Sequence, residues 1–169
     1  MSPAVTLRVS IALYFARQFD NAIASARRAI ELDSTFMFAY DRLHWALDGK
    51  GDLQDALTAA ERASAISGPG DVRRRAFAAY AYGRLGRRQE AETILAELIS
   101  AQKRTYVPPT SFAAIHVGLG QEEEALDWLQ RGYDSRDGDM VLLKTFPLWD
   151  PLRGHRRFQE LVSAMGFPE

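Results

Sequence analysis

The chain contains no cysteine. That single absence excludes disulfides, thiolate metal sites and cysteine nucleophiles together, and it agrees with a reducing compartment, so a cytoplasmic location is expected. No run of about 18 apolar residues occurs, so nothing in the sequence is expected to span a membrane. The opening Met1-Ser2-Pro3-Ala4-Val5 lacks the basic stretch and apolar core of a secretion signal, and no leader is expected. Excess charge is also missing: 21 Lys and Arg stand against 22 Asp and Glu, a net charge of −1. Domains that neutralise phosphate backbones are strongly basic, so nucleic acid is not an expected partner.

Catalytic and metal-binding patterns are missing in the same way. The three histidines, His44, His116 and His155, include no pair at the i, i+4 spacing of a helical metal site. His44 and His116 are instead expected to pack between helices. Asp134, Asp137 and Asp139 begin like a calcium loop, but position 145 is Thr where such a loop needs Glu. No glycine-rich phosphate loop, nucleophile elbow or recognisable pair of catalytic carboxylates is found. The expectation is a non-enzyme with no cofactor and no metal.

What is present is a repeat. Phe19 to Ala29 recurs 34 residues later as Leu53 to Ala63, with Ala22, Ala26 and Ala29 falling on Ala56, Ala60 and Ala63. Ala91 follows Ala56 by 35 residues, and Ala125 follows Ala91 by 34. The one-residue slip coincides with Gly68-Pro69-Gly70, where a turn can absorb it. Such a period signals stacked supersecondary units, none of which can bury its apolar face alone.

Each unit reads as two helices. The first stretches are Val5–Arg17, Phe36–Lys50, Val72–Leu85 and Pro109–Leu119; the second are Asp20–Leu32, Asp52–Ile66, Arg87–Gln102 and Gln121–Asp134. Apolar residues recur at helical spacing, as in Ala91, Ile94, Leu95 and Leu98. Gly51, Gly86 and Gly120 fall in the turns between paired helices, Asp20 and Asp52 are candidate N-caps, and Pro109 suits a first helical turn. Ala22, Ala56, Ala91 and Ala125 are placed where two helix backbones must approach. With 47% hydrophobic residues over 169 positions, one domain covering 1–169 can build a sizeable core. Arg73-Arg74-Arg75 opens a helix with the sign its dipole disfavours, and a solvated face with salt bridges is its expected role.

The pattern resembles the tetratricopeptide repeat family. Its second unit carries Tyr40, Leu43, Leu47, Gly51, Ala56, Ala60 and Ala63; its third carries Ala78, Ala79, Tyr82, Gly86, Ala91 and Leu95; its fourth carries Phe112, Ala113, Gly120, Ala125 and Leu129. Arg17 stands where the first unit should have its turn glycine, Ser34 where proline should close that unit, and Gly132 where the fourth should have its last alanine. The resemblance implies an all-α, right-handed α-α superhelix, a solenoid of about four helix pairs (about 3–36, 37–70, 72–105 and 106–137), with a C-terminal cap over 138–169. Within that cap Phe146 to Pro151 is expected to be extended, because residues before proline avoid the helical region. Arg156 to Met165 is expected to be a short helix covering the last repeat with Phe158, Leu161, Val162 and Met165. The stretches Tyr106 to Pro109, Gly118 to Leu129 and Leu143 to Leu161 are similar to the last repeats of bacterial signalling proteins. There the repeats follow a winged-helix regulator, a kinase or a cyclase.

The family resemblance further implies a concave groove lined by the first helices, and a protein or peptide as partner. The residues it places there for partner binding are Tyr14, Phe15, Asp41, Trp45, Asp48, Arg73, Tyr80 and Arg84. Aromatic and arginine side chains are the usual anchors of such surfaces. The Lys and Asn of a carboxylate clamp are absent. The alternative is a regulatory or oligomerisation segment of a larger bacterial signalling protein. In that case Val5, Leu7, Val9 and Ile11 at the N-terminal edge would support a homodimer.

Overall fold

The computed structural model describes residues 2–167, and among them every regular element is helical. Four antiparallel pairs follow one another: α1 (Pro3–Phe15) with α2 (Phe19–Leu32), α3 (Met37–Lys50) with α4 (Leu53–Ser67), α5 (Val72–Arg84) with α6 (Arg88–Ala101), and α7 (Pro109–Gly118) with α8 (Glu122–Asp134). Two short 3-10 helices, Gly138–Leu142 and Pro147–Leu152, lead into α9 (Arg156–Ala164).

The four intra-pair turns share one geometry. In each, an amide donates to the carbonyl five residues earlier at 2.8–2.9 Å: Gln18 to Leu13, Asp52 to Leu47, Arg87 to Tyr82 and Gln121 to His116. This closure requires a left-handed residue just before the donor. Gly51, Gly86 and Gly120 supply it with φ of 94°, 75° and 70°, and Arg17 supplies it with φ of 57°. The backbone demand therefore persists where the glycine does not. Two capping expectations change. Asp20 lies inside the first turn of α2, and Asp52 stands at the α4 N-cap without a capping hydrogen bond. Lys50 draws both carboxylates instead, at 3.0 and 3.4 Å.

Ala22, Ala56, Ala91 and Ala125 are all buried at the contacts between paired helices. Two of their carbonyls also receive a polar side chain from the partner helix. The Ser10 hydroxyl donates to Ala22 at 2.9 Å, and His44 Nδ1 lies 3.0 Å from the Ala56 oxygen. The tightest approach lies elsewhere, where α5 crosses α7. A Cβ on Gly83 would lie 2.6 Å from the Gly118 carbonyl carbon, and one on Gly118 would lie 2.8 Å from the Tyr80 Cα. Nearly every residue of α7 is buried, as befits a helix packed on α5, α8 and the segment 147–152.

The tail departs from the expected cap. Phe146 is extended, as a residue before proline should be, but Pro147–Leu152 winds into a 3-10 turn rather than continuing extended. This segment crosses back to the first helix pair. The Phe146 ring meets Trp45 at 4.9 Å, Tyr14 at 5.9 Å and Phe15 at 6.2 Å between centroids. Arg17 pairs with Asp150 at 2.6 Å, and Arg73 with Asp139 at 2.8 Å. α9 then packs on α8, with Phe158 and Leu161 buried and Arg157 reaching Glu123 and Asp127.

Candidate partner-binding groove

The first helices of the four pairs, α1, α3, α5 and α7, share one groove with the segment 138–149. What remains of the groove is a cavity of about 400 Å³. Phe15, Trp45, Phe77, Phe146 and Trp149 supply its aromatic walls. Asp41, Asp71, Asp139, Arg42, Arg73 and Arg74 line it with charge.

The expected groove residues separate by depth. Tyr14, Asp41, Trp45 and Tyr80 are buried, with Trp45 at 2% exposure beneath Phe146. Phe15, Asp48 and Arg84 are half-buried, and Arg73 is exposed. Their charges are internally matched. The Tyr80 hydroxyl donates to Asp48 at 2.7 Å, and Arg84 Nε lies 3.6 Å from the same carboxylate. Burial pushes Asp48 above the ordinary carboxylate value despite Arg84 and Tyr80. Burial and the neighbouring Asp48 push Tyr80 well up. Arg74 Nη2 donates to Asp41 at 2.7 Å while its Nη1 bonds Asp71. Burial still holds Asp41 above the usual range. Burial also pushes Asp71 upward, but hydrogen bonds from the Arg74 backbone and side chain win, and its value ends lowered.

The arginine run divides its work. Arg73 pairs with Asp139, Arg75 with Glu97, and Arg74 is drawn into the buried network at 8% exposure. Arg42, Ser111, Phe146 and Trp149 are cavity walls that the sequence pattern does not reveal. Nothing local marks them: their role arises only when the tail returns to α1 and α3. A weak signal was present in the aromatic, twice-proline composition of Phe146 to Pro151, which is unusual for a solvent-exposed connection.

Among the described residues, no group of three or more His, Asp and Glu is placed to hold a metal. No helix among them is long and apolar enough to cross a membrane. The tetratricopeptide repeat profile matches residues 7–147, most of the chain. The chain belongs to the tetratricopeptide repeat family. Two crystal structures of Podosopora anserina putative kinesin light chain nearly identical TPR-like repeats resemble this TPR protein. A single-substitution variant has 16% identity and a TM-score of 0.58 over 96% of this chain and 92% of that one. The second has 16% identity and a TM-score of 0.57 over 95% and 91%. At that identity the likeness concerns the fold. No curated protein sequence matches the chain significantly. TPR repeats generally mediate protein–protein interaction.

Proposed function

We propose that this TPR protein is a non-catalytic scaffold that binds a protein or peptide at the concave face. Its C-terminal resemblance supports a bacterial setting, and the absence of cysteine agrees with the cytoplasm. The observation that carries the reading is the character of the cavity rim. Phe38, at 43% exposure, and Leu142, at 37%, stand beside the exposed Arg73 on the same opening. An exposed aromatic, an aliphatic and an arginine around a depression are the side chains that anchor protein interfaces. Phe15, Arg73 and Arg84 offer contacts at the surface. Tyr14, Asp41, Trp45, Asp48 and Tyr80 support them from below and fix the groove's shape.

The test is affinity capture with the wild-type chain and with Phe38→Ala/Arg73→Ala, followed by titration of the purified candidate partner. Loss of at least about tenfold in affinity in the variant is the expected outcome, equal to about 1.4 kcal/mol. Equal binding by both chains would move the partner off this face. The homodimer reading draws on a different surface, where Val5, Val9 and Leu32 are 48%, 46% and 40% exposed on the first helix pair. Light scattering over a concentration series decides it: a mass that doubles with concentration supports self-association through that edge, and a constant monomer mass ends it.

A further inference from the structure

We propose that the cavity between α1, α3, α5, α7 and the 138–149 segment binds a small aromatic or compact apolar carboxylic acid, with Arg42 taking the carboxylate. This site is the interior of the cavity whose exposed rim is assigned to a protein partner, and it does not depend on that reading.

The cavity holds a cation without a hydrogen-bonded partner among the described residues. Three arginines line the cavity. Arg74 is held by Asp41 and Asp71, and Arg73 by Asp139. Arg42 makes no hydrogen bond or ion pair with any described residue, and its buried Nε has no acceptor. Burial pulls its proton affinity down, against the smaller upward pull of Asp41 and Tyr14. Its Nε is sealed from solvent while the half-buried side chain leaves the Nη atoms open, and those are the donors a cavity carboxylate can engage.

A second polar group on the same wall is equally unclaimed. Ser111 is 2% exposed, yet its hydroxyl makes no hydrogen bond with a described residue and opens onto the cavity. The guanidinium fork matches a carboxylate with two parallel hydrogen bonds, and the hydroxyl can donate a third. The remaining walls are rings, chiefly Trp45, Phe77, Phe146 and Trp149. They suit the apolar body of such an acid, and the volume falls within the range of small-ligand pockets.

Charge selects the acid class. The three aspartates and three arginines of the lining balance, and Arg42 is the arginine among them that makes no hydrogen bond or ion pair with a described residue. A monocarboxylate adds one negative charge to this neutral lining and sets it against the Arg42 guanidinium, whereas a doubly charged phosphate would add two beside Asp41, Asp71 and Asp139.

The experiment uses the full chain with benzoate, 3-phenylpropionate and cyclohexanepropionate as probes. Calorimetry and thermal unfolding are the readouts, with 3-phenylpropanamide as the uncharged control. At least one acid is expected to bind with Kd below about 1 mM and to raise the unfolding temperature, as a ligand specific to the native state must. The amide is expected to do neither. Arg42→Gln should lose at least about tenfold in affinity and Ser111→Ala a few-fold, while the unfolding midpoint without ligand stays close to wild type in Arg42→Gln, because the side chain has no protein hydrogen bond to lose and its burial offsets the attraction of Asp41. If that variant does not fold, Ser111→Ala and the acid–amide comparison decide. A blocked tripeptide ending in Phe presents the same ring and carboxylate on a chain. Binding of the tripeptide without any free acid, of the amide as tightly as the acids, of the acids equally to Arg42→Gln, or of no acid below about 1 mM overturns the proposal. A negative result here leaves rim binding, tested with Phe38→Ala/Arg73→Ala, unaffected.

Discussion

His44 sits at 1% exposure between Trp45 and Phe77, with Nδ1 on the Ala56 carbonyl and Nε2 unpartnered. Burial pushes its pKa from 6.5 down to about 4, against the smaller upward pull of the Ala56 hydrogen bond. The native state therefore keeps the ring neutral where the unfolded chain would protonate it. Stability is complete above pH 6.5 and falls as pH drops toward about 4, because the unfolded state binds the extra proton across that window. The loss should reach about 3 kcal/mol, and His44→Phe should flatten that part of a denaturation profile measured against pH. Tyr80 makes a second residue-scale case. Tyr80→Phe removes the 2.7 Å donor to Asp48 and leaves that carboxylate to Arg84 at 3.6 Å. The expected cost is about 1–3 kcal/mol by urea unfolding, since a buried acceptor loses its partner. His44 could be placed at a helix-packing position from the repeat alone, whereas Tyr80 is expected from the resemblance to face a partner and lies buried at 1% exposure. The pairing of Tyr80 with Asp48, and of Asp41 with Arg74, could not be read from the repeat, since each joins neighbouring repeats across the groove.

Helix crossings set the next scale. Gly83 and Gly118 let α5 and α7 touch backbone to backbone, closer than the alanine contacts allow within the pairs. Gly118→Ala should cost at least about 1–3 kcal/mol, because a methyl there meets the Tyr80 main chain, which cannot swing aside as a side chain could. An unfolding midpoint equal to wild type would mean the crossing relaxes freely. The helices and turns were legible in the sequence because a 34-residue period repeats their local demands, down to the left-handed turn. Arg17 shows that legibility comes from the period and not from the glycine. The 3-10 turns of the tail were not legible: their stabilising partners, such as Arg17 for Asp150, lie 133 residues away.

At the scale of the molecule, the groove is partly filled by its own chain. The seam between tail and first pair has an aromatic part and an ionic part, and magnitudes rank them. Arg17 and Asp150 are 52% and 34% exposed at their side chains, so their pair should contribute less than about 1 kcal/mol. Burial pushes the Asp150 pKa up, but hydrogen bonds from Arg17 and Arg153 bring it below the ordinary value, so its contribution is present at neutral pH and fades in acid. Phe146 is 8% exposed against three aromatic neighbours, and Phe146→Ala should cost about 3–5 kcal/mol. Asp150→Asn should cost less than about 1 kcal/mol. Equilibrium unfolding of the two variants in parallel checks the order, and a larger effect from Asp150→Asn would make the seam ionic.

That seam also bears on how such a chain can change over generations. Open solenoids gain or lose units by tandem duplication, since each unit contacts only its neighbours. Here a unit inserted between Arg17 and Asp150 would carry the tail one step along the superhelix and part Phe146 from Tyr14, Phe15 and Trp45. Gain or loss of a unit in this chain therefore carries the added cost of breaking the seam.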